Sequence, residues 1–467
     1  MPVLNSQQVP NLDQTRPDLP RTLGFWPAIG VMVGVAVGSG IFRTPSSIAE
    51  SLPNPGLVLL LWGVGGLLSL LGALAFTELA VALPASGGIY TFLREAYGRP
   101  AAFVFGWTYM LITKPSAAAG IAFVFAEAVR TVFKVDWDLR AITIITLIVL
   151  TAINAWGTRL SANISLVSTV MKFAALAALV VCALAFVPGS SENFASESST
   201  IPLHTAIVGV MAAIMWTYDG WADVGAIAGE VKEPQRTLPR IYLLGTLAIM
   251  GLYLAVNAAT FWALPQATIA DNSLFPATRI ATTAFGAIGA VAITLLVGLS
   301  TLTSSHASVL TGARVTFAQA RDGLLFSFLA KVSPQGTPAV ALWTQCALSI
   351  SATLLLGSFT KLADTFVFTM WIFYGMAAAA VLILRRTRPD LPRPYRCWGY
   401  PFVPIVFVLV ALAMTVLSIQ KDPAGTLPWI GVLLAGFPVY FLWRRFWPEP
   451  AAQSAVNGGS GPDPDKT

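Results

Sequence analysis

Stretches of about twenty apolar residues recur along nearly the whole of this chain, from Trp26 to Trp443. Each is long enough to cross a hydrocarbon layer of roughly 30 Å as a helix. Twelve such segments are predicted, at about 24–50, 56–83, 101–130, 140–156, 161–187, 203–229, 240–264, 285–310, 338–357, 362–385, 400–419 and 427–446. Hydrophobic residues fill 56% of the 467 positions and charged residues only 11%, whereas a soluble domain carries roughly a quarter charged. A water-soluble fold is excluded, and an all-α membrane protein is expected.

The basic residues fix an orientation. With the amino terminus inside, nineteen Lys and Arg residues fall on the cytosolic side, among them Arg94, Arg99, Arg240, Arg314 and Arg385, while seven fall outside. The asymmetry places both termini in the cytosol and the chain in the plasma (inner) membrane. Residues 1–21 are polar and dotted with prolines, without the apolar core of a signal peptide. Residues 447–467 are rich in Pro, Gly, Ala and Asp and cannot bury enough apolar surface to offset their ordering entropy. Both are read as disordered cytosolic tails.

Several function classes drop out. The net charge of +6 follows from the loops, and no aromatic-interleaved basic stripe suggests nucleic acid. Cys182 and Cys346 lie in apolar spans and Cys397 in a basic loop, so no external disulfide is expected. With only His204 and His306 as imidazoles, and no metal-binding His pair, phosphate loop or nucleophile elbow, the chain has no visible enzyme constellation. No cofactor or metal is expected.

Two predicted spans contain helix-breaking residues: Gly38-Ser39-Gly40 in the first and Asp219-Gly220 in the sixth. Five spans separate them, so they enter the membrane from opposite sides, as inverted repeats require. The expected organisation is a first repeat at 22–187, a second at 203–385 and two further helices at 400–446. Paired interruptions of this kind point to a substrate site.

From Trp26 to Gly38 a helix rises about 18 Å, which puts the first break near the bilayer midplane. Beyond it, a half-helix starting near Ile41 offers unpaired N–H groups and a positive dipole end to a carboxylate. Span 6 descends from outside, so its first half ends near Met215-Trp216-Thr217 with carbonyls suited to an ammonium. One such site binds both ends of an amino acid. The glycines also serve close helix packing equally well. Trp216 stands as a lid over substrate or as plain packing. Asp219 attracts the substrate amino group or a cationic side chain, or, the favoured reading, caps the second half-helix.

Lys172 in span 5 has apolar neighbours, and an intramembrane lysine costs about 2.5 to 3.5 kcal/mol on insertion scales. Its ammonium either replaces a bound sodium ion by contacting carbonyls freed at the first break, or snorkels to the cytosolic face. Lys114, followed by Pro115 in span 3, raises the same question without an obvious break beside it. Glu78 and His306 stand as proton carriers or, preferably, as hydrogen-bonded structural groups.

VGSGIFRTP at 37–45 and FTELAVALPASGGIYTFLREAYG at 76–98 resemble signatures of the amino acid-polyamine-organocation superfamily, in its L-type amino-acid transporter branch. LITKPSAAA at 111–119, WTYDGWADVGAIAGEVKEPQRTLPR at 216–240 and ARVTFAQARDG at 313–323 are similar to that family's third-span, sixth-span and post-eighth-span patterns. The resemblance covers nearly all of residues 22–446. It implies a leucine-transporter-like core with discontinuous helices 1 and 6, carboxylate binding by Gly38, Ser39 and Gly40, an aromatic gate at Trp216, Lys172 in place of sodium, and Ser304 as partner of that lysine. The stretch Thr131–Leu139 lacks the cysteine with which animal heteromeric members join a glycoprotein subunit, so no such partner is expected. Lys114 stands where many relatives carry arginine, and Asp219 where many carry glycine.

The expected function is alternating-access transport of a small-molecule substrate, a neutral L-amino acid, by sodium-independent exchange. Proton symport and transport of cationic amino acids or polyamines are the alternatives within the class. A non-transporting sensor or a channel is the alternative outside it.

Overall fold

The computed structural model describes residues 18–195, 201–271, 274–421 and 423–447. The predicted tails fall largely outside them, at 1–17 and 448–467. Among the described residues the chain is helical, and its one extended pairing is an isolated parallel bridge between Leu23 and Val231.

In chain order the helices are α1 (Phe25–Ala36), α2 (Gly40–Ser51), α3 (Pro55–Ala82), α4 (Ile89–Tyr97), α5 (Arg99–Thr108), α6 (Lys114–Phe133), α7 (Leu139–Ala155), α8 (Thr158–Ala185), α9 (Leu203–Tyr218), α10 (Pro234–Ala263), α11 (Gln266–Ala270), α12 (Pro276–Arg321), α13 (Ala339–Leu356), α14 (Phe359–Thr387), α15 (Phe402–Lys421) and α16 (Pro423–Phe446). Among the described residues ten segments are long and apolar enough to cross a bilayer, with α1 and α2 counted as one and α5 and α6 as another. The other two predicted spans correspond to the shorter α7 and to α9 with the 3-10 stretch Trp221–Glu230 that follows it. This is a multi-pass membrane protein. Large apolar side chains such as Ile145, Val149, Val170, Val181, Leu409 and Leu412 lie exposed on the outer helices, as a lipid-facing surface demands.

α1 packs against α8, α10 and α12, and α2 against α9, so the two interrupted segments sit inside the bundle. The 3-10 stretch takes the place of an α-helical second half after the α9 break.

Three local features depart from the sequence reading. The segment 313–323, read as following the eighth span, continues α12 as helix to Arg321. The reason is electrostatic: Arg314 is fully buried, and its guanidinium meets Glu230 at 2.9 Å and Thr158 at 2.8 Å, inside the bundle rather than in solvent. Ahead of Lys114, Tyr109–Thr113 forms a π-helical turn. Pro115 lacks an N–H and crowds the preceding turn, which widens the backbone there. Finally, the predicted tail ends early. From Asp18 the chain is packed: Leu19 is buried, the Asp18 carboxylate accepts the Ser86 N–H at 2.9 Å, and it pairs with Arg321 at 3.1 Å.

Leu23 continues this attachment, its N–H donating to Glu230 O at 2.9 Å while its carbonyl accepts from Lys232 N–H at 2.8 Å. On the same face, Asp322 accepts the Tyr90 hydroxyl at 2.9 Å and the guanidinium of Arg94.

Glu78, read as structural, sits in such a network too. Arg385 grips both its oxygens at 2.8 and 2.7 Å, and the Cys397 N–H adds a bond of 2.7 Å. His306 is likewise bonded, its Nδ1 lying 3.1 Å from Asn154 Nδ2 and its Nε2 3.3 Å from the Ser161 carbonyl.

Candidate functional site

α1 stops at Ala36 and α2 begins at Gly40, so Val37, Gly38 and Ser39 form the first break. α9 stops at Tyr218, and Asp219 is extended; Gly220 follows at φ 119°, a conformation that favours glycine. A Cβ at Gly220 would lie 2.7 Å from the Ala36 nitrogen, and one at Gly40 would lie 2.7 Å from the Thr217 hydroxyl. The two interruptions are therefore stacked against each other, each with a glycine at its closest approach. Tyr253 joins them: its hydroxyl lies 2.9 Å from Ala36 O and 3.2 Å from Thr217 O.

The carbonyls that the first break removes from helical pairing are collected by side chains of α8 and α12. Lys172, 1% exposed, donates to Gly34 O at 3.0 Å, Val37 O at 2.9 Å and Ser304 Oγ at 2.7 Å. Ser300 donates to Val37 O at 3.1 Å. Lys172 thus reaches the break and does not snorkel. It puts an amino group among main-chain oxygens, with Ser304 Oγ beside it at 2.7 Å.

A small cavity opens between α1, α2, α6, α9 and α12, with about 430 Å³ of space between the atoms once its open mouth is included. Of the sequence-predicted residues, Gly38, Ser39, Gly40, Lys114, Trp216, Thr217 and Asp219 line it. Ile41 and Met215 are buried and are not among the lining residues, since their side chains point into the packed core. The first N–H groups of α2 have no intrahelical acceptors, and the last carbonyls of α9 have no intrahelical donors. Two opposite partial charges thus flank one cavity. Trp216 is half-buried on its wall.

Asp219 does not cap the following turn, whose N-cap is Gly220 without a side-chain bond. Its carboxylate instead accepts the Tyr374 hydroxyl at 2.5 Å. Asp223, less prominent in sequence, carries a stronger interaction: Lys114 Nζ meets its two oxygens at 2.7 and 2.8 Å. Val35, Ala36, Ala117, Ile121 and Ser308 complete the wall without having been singled out. The available signal was helical spacing, Ser308 lying one turn beyond Ser304 and Ala117 about one turn beyond Lys114. Among the described residues no group of three or more His, Cys, Asp or Glu side chains is arranged to hold a metal ion.

A family model for amino acid permeases matches residues 23–438. The chain is 30% identical over 447 residues to the mouse (Mus musculus) b(0,+)-type amino acid transporter 1, covering 91% of this chain and 88% of that protein. It is 30% identical over 431 residues to the serine/threonine exchanger SteT of Bacillus subtilis (strain 168), covering 91% and 98%. It is 29% identical over 436 residues to the large neutral amino acids transporter small subunit 2 of Oryctolagus cuniculus, covering 91% and 80%. Matched along nearly its whole length, with two broken helices packed around a central cavity, the chain belongs to the amino acid permease family.

Proposed function

We propose that this protein exchanges neutral L-amino acids across the plasma membrane, without sodium, by alternating access. The observation that carries the reading is the convergence of the two helix interruptions on one cavity, with Lys172 fixed behind the first. The α2 N-terminus takes the substrate carboxylate, and the α9 C-terminus takes its ammonium. Residues Gly38, Ser39 and Gly40 cradle the carboxylate, Thr217 and Asp219 lie by the ammonium, and Trp216 closes over the bound molecule. Lys172, with Ser304, supplies the charge that a sodium ion supplies in sodium-coupled carriers of this architecture. That bacterial and mammalian relatives are named as an exchanger and as amino acid transporters supports the same reading.

The fold divides, in this account, into inverted repeats at 22–187 and 203–385, with α15 and α16 outside them. The face carrying Leu23 is cytosolic, and its ion pairs close the inner side. The chain works without a disulfide-joined subunit, since Thr131–Leu139 carries no cysteine. A sensor would bind through the same pocket but would move nothing in liposomes, and a channel would show no counterflow.

Purified protein in liposomes tests this. Preloading with unlabelled amino acid should accelerate labelled uptake in sodium-free buffer. Uptake driven by a pH gradient into empty vesicles, indifferent to preloading, would instead establish proton symport.

A second substrate class has its own support. Asp219 and Asp223 both line the cavity, and a cationic side chain would find a carboxylate there. Arginine uptake that survives unchanged in Asp219→Asn would count against Asp219 as its receptor.

A further inference from the structure

Three charged side chains line the cavity: Lys114, Asp219 and Asp223. They are not equivalent. Lys114 and Asp223 are 3% and 9% exposed and lie within 2.8 Å of each other through both carboxylate oxygens. Ser308 Oγ is 3.5 Å from the ammonium, and the Tyr109 hydroxyl is 3.4 Å from Asp223 Oδ1. Asp219 is held by the Tyr374 hydroxyl instead.

Both members of the pair lie in or directly beside irregular backbone. Lys114 follows the π turn of 109–113, and Asp223 lies in the 3-10 stretch after the second break. Those irregularities bring an ammonium and a carboxylate from different segments to one wall. The half-helix ends address only the groups common to all amino acids, so selection among side chains falls to the wall.

We propose that Asp223 is a built-in counter-ion that masks Lys114, and that this pair decides which side-chain charge the site accepts. The proposal rests on the amino-acid carrier reading given above. With both Asp223 oxygens on its ammonium, Lys114 has no strong attraction left for a substrate carboxylate. An acidic side chain must split a buried pair, and separating such a pair strands a charge in a low-dielectric site. A neutral side chain meets a wall whose pair is already balanced. Rejection of acidic substrates therefore comes from an occupied cation rather than from a missing one, which is selection against a competitor as much as for the substrate.

The test is exchange in proteoliposomes, with labelled serine or leucine, whichever the wild type exchanges, and with glutamate and arginine as competitors. In Asp223→Asn the ammonium is unmasked, and glutamate should compete at least about tenfold better than in wild type, the scale on which close charge pairs act. In Lys114→Met two carboxylates face the cavity without their cation, and arginine should gain by a similar factor while glutamate gains nothing. The double variant Lys114→Met/Asp223→Asn should show neither gain.

Either single variant, recovered folded, decides the matter. Wild-type selectivity in a variant that still exchanges the neutral substrate overturns the proposal. Failure of both single variants to fold, whatever the double variant does, marks the pair as structural and also overturns it. If the wild type exchanges no amino acid at all, the carrier reading fails instead, and the two failures are distinguishable.

Discussion

Lys172 and Ser304, 132 positions apart, meet at 2.7 Å between ammonium and hydroxyl, and both contact the carbonyls of Gly34 and Val37. Neither carbonyl has its full helical pairing at the first break, so the two side chains satisfy backbone acceptors that would otherwise be left unpaired inside the bundle.

Lys172→Ala should therefore lower exchange at least about tenfold, because the break loses its main donor and relaxes. Protein yield and monodispersity on size-exclusion chromatography should change far less than flux. Ser304→Ala should give a smaller loss in the same direction.

Tyr253→Phe removes the hydroxyl that reaches Ala36 O and Thr217 O across the two breaks. Leaving a buried acceptor unsatisfied costs about 1 to 3 kcal/mol. A lowered melting temperature in detergent, together with slower exchange, is the expected result, read by thermal unfolding and by flux.

Ser39→Trp should abolish substrate binding while leaving the protein folded, since Ser39 lines the cavity between the half-helices. Gly220→Ala should behave differently, destabilising the whole molecule: its backbone is at φ 119° and the new methyl would meet the Ala36 nitrogen at 2.7 Å. Binding by the first variant and a melting scan of the second separate a blocked site from a broken scaffold.

Cys397 lies in the loop between α14 and α15, and burial, with the Glu78 carboxylate beside it, pushes its thiol up to about 12. Because the raised value keeps the reactive thiolate scarce below that pH, alkylation by a maleimide at pH 8 should be slow in the folded protein. Unfolding should make it fast, as mass spectrometry of the labelled peptide will show.

Much of the architecture was legible in the sequence because hydropathy and helix breakers act locally. Apolar run lengths located the spans, and Gly38-Ser39-Gly40 and Asp219-Gly220 marked the interruptions. Lys172 was conspicuous because its cost in lipid demanded partners. What could not be read depends on contacts between distant segments. The partner of Lys114 is 109 residues away, and the π turn beside it is a response of backbone to Pro115 in a packed bundle. The extension of α12 to Arg321 was hidden for the same reason: an arginine in sequence suggests a loop, until Glu230 is found to balance it. Asp18 looked like tail until Ser86 and Arg321 supplied its partners.

In the proposed transport cycle, the main-chain ends of α2 and α9 recognise the two charged termini of one zwitterion. The decisive measurement is competition against labelled exchange by a neutral amino acid, its amide and its decarboxylated amine. Only the intact zwitterion should compete at low concentration, each altered molecule losing at least about a hundredfold as a buried partner goes unpaired. Equal competition by the amide or by the amine would rule this recognition out.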